Sequence, residues 1–251
     1  MEKKINLNIL YNEQLKRSNN YDPTWIFENE MGPNPLWLTE ILTLPFDLKS
    51  GMRVLDLGCG KGITSVFLAR EFNVHVYAVD LWESADGKWE QAKKNNVEHL
   101  ITPIYADAQK LPFAKDFFDA ILCIDSYIYF GQEDTILENI LKYLRPNGKI
   151  GIICPGYMKD VSDGVPDYLI KFLGDELWTW QTLSWWKNHW EKTGLVTIDL
   201  ADNVQNGFSL WLQWEEIRNK LNINRHPEEI DIFKKDKGDY MGFIRIVATK
   251  N

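Results

Sequence analysis

The segment Val54-Leu55-Asp56-Leu57-Gly58-Cys59-Gly60-Lys61-Gly62 passes from apolar residues directly into alternating glycines. Residues without a Cβ let a chain turn tightly between a strand and a helix, and let a ligand approach the backbone in the crevice beyond the strand ends. Asp80 closes a second apolar run further along. An acid at that point can accept hydrogen bonds from both hydroxyls of a ribose. Together the loop and the acid predict a site for an adenosine-containing ligand. A glycine loop alone can simply reverse a chain; a strand before it, a helix after it and an acid downstream make it a binding element. The glycines fall as G-x-G-x-G, which departs from the G-x-G-x-x-G of dinucleotide sites.

Other reactive residues are less ordered. Cys59, Cys123 and Cys154 are widely spaced and form no C-x-x-C pair, so neither a disulfide framework nor a zinc site is expected. Cys123 and Cys154 lie in apolar runs, where a thiol behaves as a small hydrophobe. His75, His99, His189 and His226 share no i, i+4 relation, so no metal is expected. The 251 residues carry 28 Lys and Arg against 36 Asp and Glu, a net charge of −8, which excludes a general attraction to nucleic acid or anionic lipid. The start, Met1 to Asn8, mixes polar with apolar residues, and no segment approaches the roughly 18 consecutive apolar residues of a membrane span. A cytoplasmic protein without a membrane partner is the expectation.

The elements that must hold the loop are legible from periodicity. Strands are expected at Arg53 to Leu57, Val74 to Val79, Ile101 to Tyr105, Ala120 to Ile124, Lys149 to Cys154, Val196 to Leu200 and Gly242 to Ala248. Helices are expected at Ile63 to Arg70, Thr135 to Leu144, Ser184 to Lys192 and Ser209 to Leu221. Another opens at Asn34-Pro35, an N-cap with proline in the first turn, and stops at Pro45. Arg145-Pro146-Asn147-Gly148 is a turn, and Thr193-Gly194 a helix stop. Short apolar runs alternating with helical stretches predict an α/β fold with a parallel sheet. With no repeat or linker in view, residues 1–251 read as one domain. Residues 1–48 supply N-terminal helices or a lid, 49–156 a ligand-binding core, and 157–251 covering insertions with the last two strands.

Five blocks in order give this chain its resemblance to class I S-adenosylmethionine-dependent methyltransferases of the small-molecule type: Asp56 to Gly62, Val79-Asp80, Ala106-Asp107-Ala108 with Leu111-Pro112-Phe113, Phe118 to Leu122, and Leu144 to Lys149. They span about half of the chain. The resemblance implies a doubly wound, Rossmann-like, mostly parallel seven-stranded sheet with flanking helices and an antiparallel last strand. It implies S-adenosylmethionine as cofactor, with Gly58, Cys59 and Gly60 against its methionine part and Asp56 supporting the ammonium. Asp80 would hold the ribose, Leu81 would cover the adenine, and Asp107 with the backbone of Ala108 would meet the exocyclic amine. Asp107 as a turn residue is the competing reading. Asp119 reads as the start of a strand. Gly32, in Met31-Gly32-Pro33-Asn34, either touches the methionine end or belongs to a plain helix-entry turn.

The acceptor end is expected after the fourth strand, at Asp125-Ser126-Tyr127-Ile128-Tyr129, because strand carboxyl ends face the crevice. Asp125 either orients and deprotonates the acceptor or caps the next helix. Tyr129 stands where many relatives have histidine. The chain lacks the asparagine-proline-proline-aromatic pattern of base and glutamine methylators, which leaves a small-molecule acceptor. Seven of the eleven tryptophans fall between Trp178 and Trp214. Most are expected in the core. Those in the inserted segments 5–31, 157–183 and 205–238, notably Trp178, Trp180 and Trp211, are candidates for a water-excluding lid over the acceptor. A cofactor-binding sensor without turnover is the alternative function, and an NAD-dependent reductase a more remote one.

Overall fold

In the computed structural model, which describes residues 6, 8–223 and 227–251, the apolar runs form one seven-stranded sheet. Most of the N-terminal stretch discussed above, and His226, lie outside the described residues. The strands are β1 (Arg53–Leu57), β2 (His75–Asp80), β3 (Ile101–Tyr105), β4 (Phe118–Ile124), β5 (Leu144–Tyr157), β6 (Val196–Asn203) and β7 (Met241–Lys250). Their order is β3-β2-β1-β4-β5-β7-β6. The first five run parallel, and β7 inserts antiparallel between β5 and β6. Val54, Leu55, Ile121, Leu122, Ile152 and Ile153 are all fully buried. Central strands covered on both faces have no polar side, and hence read as continuous apolar runs.

Helices cover the sheet: α1 (Pro23–Asn29), α2 (Pro35–Thr43), α3 (Ile63–Phe72), α4 (Ala85–Lys94), α5 (Ile136–Leu141), α6 (Asp167–Leu173), α7 (Leu183–Glu191), α8 (Gly207–Leu221) and α9 (Ile230–Asp236). The Asn34 side chain caps α2 by accepting from Leu36 and Trp37 N–H at 3.0 and 3.2 Å, as its sequence signature requires. No described helix is long and apolar enough to cross a membrane.

Three departures from the sequence reading have local causes. Helix α4 was not anticipated, because only Lys88 and Ala92 of its ten residues are buried and no apolar stripe announces it. The expected turn at 145–148 is instead an irregularity within β5, where pairing with β4 jumps from Leu144 to Lys149. The predicted 135–144 helix stops at Leu141, and its expected last residue, Leu144, opens β5.

The chain enters the sheet at β1, winds outward to β3, then crosses back to β4 on the other side of β1. The loops after β1 and β4 therefore leave in opposite directions, and a crevice opens between them at the carboxyl ends. The far side of the sheet is packed by aromatics: Trp186, Trp190 and Tyr127 are inaccessible, with ring centroids 5.4 and 5.7 Å from Tyr127. Truncating Trp186 to alanine should cost about 3 to 5 kcal/mol in urea unfolding, whereas Trp178→Ala, at a ring 59% exposed, should stay within about 0.5 kcal/mol.

Candidate functional site

At the end of β1 the backbone of Gly58 and Gly60 adopts φ of +74° and +52°, a region that side-chain-bearing residues avoid. The turn is held from β2. Gly58 and Cys59 N–H donate to the Val79 carbonyl at 2.8 and 3.1 Å. Asp80 does more: one carboxylate oxygen accepts from Gly60 N–H at 2.8 Å, the other from Trp82 and Glu83 N–H at 2.7 and 2.9 Å. One carboxylate thus fixes both the loop after β1 and the loop after β2. From the opposite side, the Ser126 hydroxyl after β4 donates to the Leu57 carbonyl at 3.0 Å, and a Cβ on Gly58 would collide with it.

These loops enclose a cavity of about 370 Å³. Every site residue named from the sequence lines it except Asp56. Asp56 is completely buried behind the wall, where one oxygen accepts the Thr64 and Ser65 hydroxyls of α3 at 2.6 Å. Its other oxygen has no partner among the described residues. Burial pushes its carboxyl up to about 6, against the two hydroxyls that favour the charged form. Asp56 is thus a support beneath the loop, with one oxygen left over among the described residues. Asp107 occupies the wall and the turn at once, since it also accepts from Gln109 N–H at 2.9 Å. Asp119 begins β4 and is spent on Arg53 N–H and the Arg145 guanidinium.

Asp125 stands apart from the other carboxylates. Its backbone is left-handed, φ +56°, and its N–H donates to Ile153 at 2.8 Å, which points the residue out of the sheet. Its carboxylate lines the cavity and takes no hydrogen bond among the described residues. It does not cap the following turn, whose leading residue Ser126 makes no cap bond either. Gly32 lies across it so closely that a Cβ there would sit 2.6 Å from Oδ2. Burial first, then the negative charges of Glu176 and Glu30, push the Asp125 carboxyl up to about 8. Tyr129, on the same wall, donates its hydroxyl to Glu176 at 3.4 Å, and burial raises that hydroxyl further still.

The tryptophan lid is not built. Trp180 and Trp211 are buried against each other at 5.9 Å and against Tyr157 and Phe243, and neither they nor Trp178 line the cavity. Their indoles pack among α8, β5 and β7, where apolar area is removed from water more completely than at a cavity mouth. The tryptophan on the wall is Trp82, 67% exposed and edge-on to Tyr129 at 5.2 Å. It was missed because it lies alone after β2, outside the tryptophan-rich half.

The donor set bears on what fits. Asp80, Asp107 and Asp125 line the cavity, whereas Lys61 is the one cation among its described lining residues, and its ammonium reaches the Glu28 carbonyl at 3.3 Å. The Gly60 N–H, a natural phosphate donor, is already taken by Asp80. A nucleoside bearing positive charge is matched here; a pyrophosphate is not. No group of three or more metal-ligating side chains occurs among the described residues.

Comparison with known proteins agrees with that chemistry. Residues 54–148 match the family model described as a methyltransferase domain. Methyltransferase GfsG of Streptomyces halstedii is 29% identical over 66% of this chain, a match that spans 60% of that protein's own length. Phosphoethanolamine N-methyltransferase 2 of Haemonchus contortus, solved with S-adenosyl-L-methionine, superposes with a TM-score of 0.74 at 20% identity, covering 98% of this chain and 60% of that one. Geranyl diphosphate C-methyltransferase of Streptomyces coelicolor gives 0.68 at 16% identity, covering 85% and 78%. The fold is the one these solved methyltransferases share, and residues 54–148, which carry the glycine loop, match the methyltransferase-domain model.

Asp80→Ala leaves three backbone N–H groups without their acceptor and should destabilise the chain by at least about 2 kcal/mol in urea unfolding. Asp125 should behave oppositely. A carboxyl at about 8 in the folded chain and 3.8 ordinarily favours folding below the lower value, and that contribution is lost as pH rises through the upper one. Asp125→Asn should therefore be more stable than the parent above about pH 8, with the difference vanishing toward about pH 4.

Proposed function

We propose that this chain transfers a methyl group from S-adenosylmethionine to a small-molecule nucleophile, and that Asp125 takes the proton the acceptor gives up. The observation that carries the reading is the pairing, in one cavity, of the cradle made by Gly58, Gly60, Asp80 and Asp107 with the Asp125 carboxylate, which takes no hydrogen bond among the described residues. When bound, S-adenosylmethionine supplies an electrophilic methyl on a sulfonium that departs as a neutral thioether. Gly58, Cys59 and Gly60 would bear on its methionine part, Asp80 on its ribose, Leu81 on the adenine face, and Asp107 with Ala108 on the adenine amine. The relative from Haemonchus contortus, solved with this cofactor, supports that placement.

The remaining work falls to residues at the acceptor end. Displacement at a methyl needs the nucleophile aligned, stripped of water and deprotonated. Tyr129, Phe130 and Trp82 line that end, while Gly32 closes over Asp125. A carboxyl raised by burial is a competent base near neutral pH, because proton affinity close to the operating pH suits general base catalysis. With Asp125, Glu176 and Glu30 around it, the acceptor end favours a neutral or cationic molecule over a phosphate or carboxylate. Catalysis in the cytoplasm, without nucleic acid, completes the reading; the net charge of −8 supports it.

The test combines calorimetry with S-adenosylhomocysteine and mass spectrometry of reactions containing S-adenosylmethionine and small amines or hydroxyl compounds. Parent protein should bind the product nucleoside and release it on turnover. Asp125→Asn should keep that affinity and lose turnover by about 10² to 10⁴-fold. Parallel loss of both would place Asp125 in cofactor binding instead, and binding without turnover across the panel would favour a sensor.

A further inference from the structure

The segment that closes over Asp125 is held by a helix distant in sequence. Residues 31–33 run between α1 and α2 as a strap along one wall of the cavity. The strap touches the cofactor loop, since a Cβ on Gly60 would lie 2.7 Å from the Met31 sulfur, and it touches Asp125 through Gly32. Its own backbone is short of regular partners. The Gly32 carbonyl accepts from the indole N–H of Trp214, on α8, at 3.0 Å. Trp214 is inaccessible to solvent, stacked on Phe27 of α1 at 4.9 Å and edge-on to Trp37 of α2 at 6.2 Å. One turn further along α8, Arg218 pairs with Glu30 at the end of α1 at 3.1 Å and with Glu215 at 3.0 Å.

We infer that Trp214 is a positioning residue for the acceptor site: its indole N–H fixes the Gly32 carbonyl and so holds the strap against the Asp125 carboxylate. The role follows from geometry. A single-donor ring, locked by aromatic neighbours on both helices that flank the strap, can place one carbonyl in one way only. The strap backbone it places is what keeps water from Asp125. The groups that face Asp125 are Glu176, Glu30 held by Arg218, the Tyr129 hydroxyl and the Cys123 and Cys154 thiols. Releasing the strap admits water to Asp125, and hydration of the carboxylate lowers its proton affinity. The inference rests on the proposed role of Asp125 for its catalytic meaning, but not for its test.

That test is a carboxyl ¹³C titration of the full chain labelled at aspartate, without ligand, the Asp125 signal being assigned by its loss in Asp125→Asn. Trp214→Phe keeps a ring between Phe27 and Trp37 and removes the donor; Trp214→Met, which likewise has no side-chain N–H or O–H, replaces it should the phenylalanine variant not fold. The expected result is a fall of roughly tenfold in the proton affinity of Asp125. Phe27→Leu, which strips packing from the same indole yet leaves the N–H in place, should shift the Asp125 titration less than the Trp214 variant does. A Trp214 variant titrating with the parent, or an equal shift in Phe27→Leu, overturns the inference. Calorimetry with S-adenosylhomocysteine on the same proteins reports the cofactor site separately, so a chain that ignores that nucleoside refutes the proposed function while leaving the titration result standing.

Discussion

Three backbone N–H groups converge on the Asp80 carboxylate, and the crevice exists because of that convergence. Bonds to a charged acceptor contribute about 1.5 to 3 kcal/mol each, more than an ordinary turn bond. They offset the cost of holding Gly58 and Gly60 in left-handed backbone, since glycine loses more conformational freedom on folding than any other residue. Without this carboxylate the loops after β1 and β2 would have no common anchor. The cavity between them would lose one wall.

The aspartates at the strand ends differ in what satisfies them. Asp56 is enclosed and shares one oxygen between two hydroxyls of α3. Asp80 is nearly saturated by backbone N–H. Asp107 makes a single turn bond and keeps the rest of its capacity toward the cavity. Asp125 makes none among the described residues. Asp125 is half-buried, and a carboxylate partly withdrawn from water without partners is costly; such groups cluster where chemistry uses them. Asp56 and Asp80 are thus committed to holding loops, whereas Asp107 and Asp125 keep capacity toward the cavity.

Much of this was legible in the sequence where one residue type has one physical use. Gly58 and Gly60 announced a turn because no other residue takes that backbone cheaply, and Asn34-Pro35 announced the start of α2 for a similar reason. The paired strand runs gave the sheet because burial on both faces leaves no alternative pattern. What remained hidden depends on side-chain direction. Asp56 and Asp80 both end apolar runs, yet alternation along a strand and the entry of α3 send one behind the wall and keep the other on it. Tryptophan density suggested a lid, but a large apolar ring serves a core as well as a cleft, so count and clustering could not decide. The Trp214 to Gly32 contact joins residues 182 positions apart, and no local pattern encodes it.

The central claim is that a sulfonium nucleoside lies in the crevice between the β1 and β4 loops. A crystal structure grown with S-adenosylhomocysteine tests it most directly. The account predicts density along Gly58 to Gly60, with the ribose on Asp80, the adenine beside Asp107 and the sulfur facing Asp125. Density for the nucleoside elsewhere on the chain, or an empty crevice in crystals of protein saturated with it, would contradict the account.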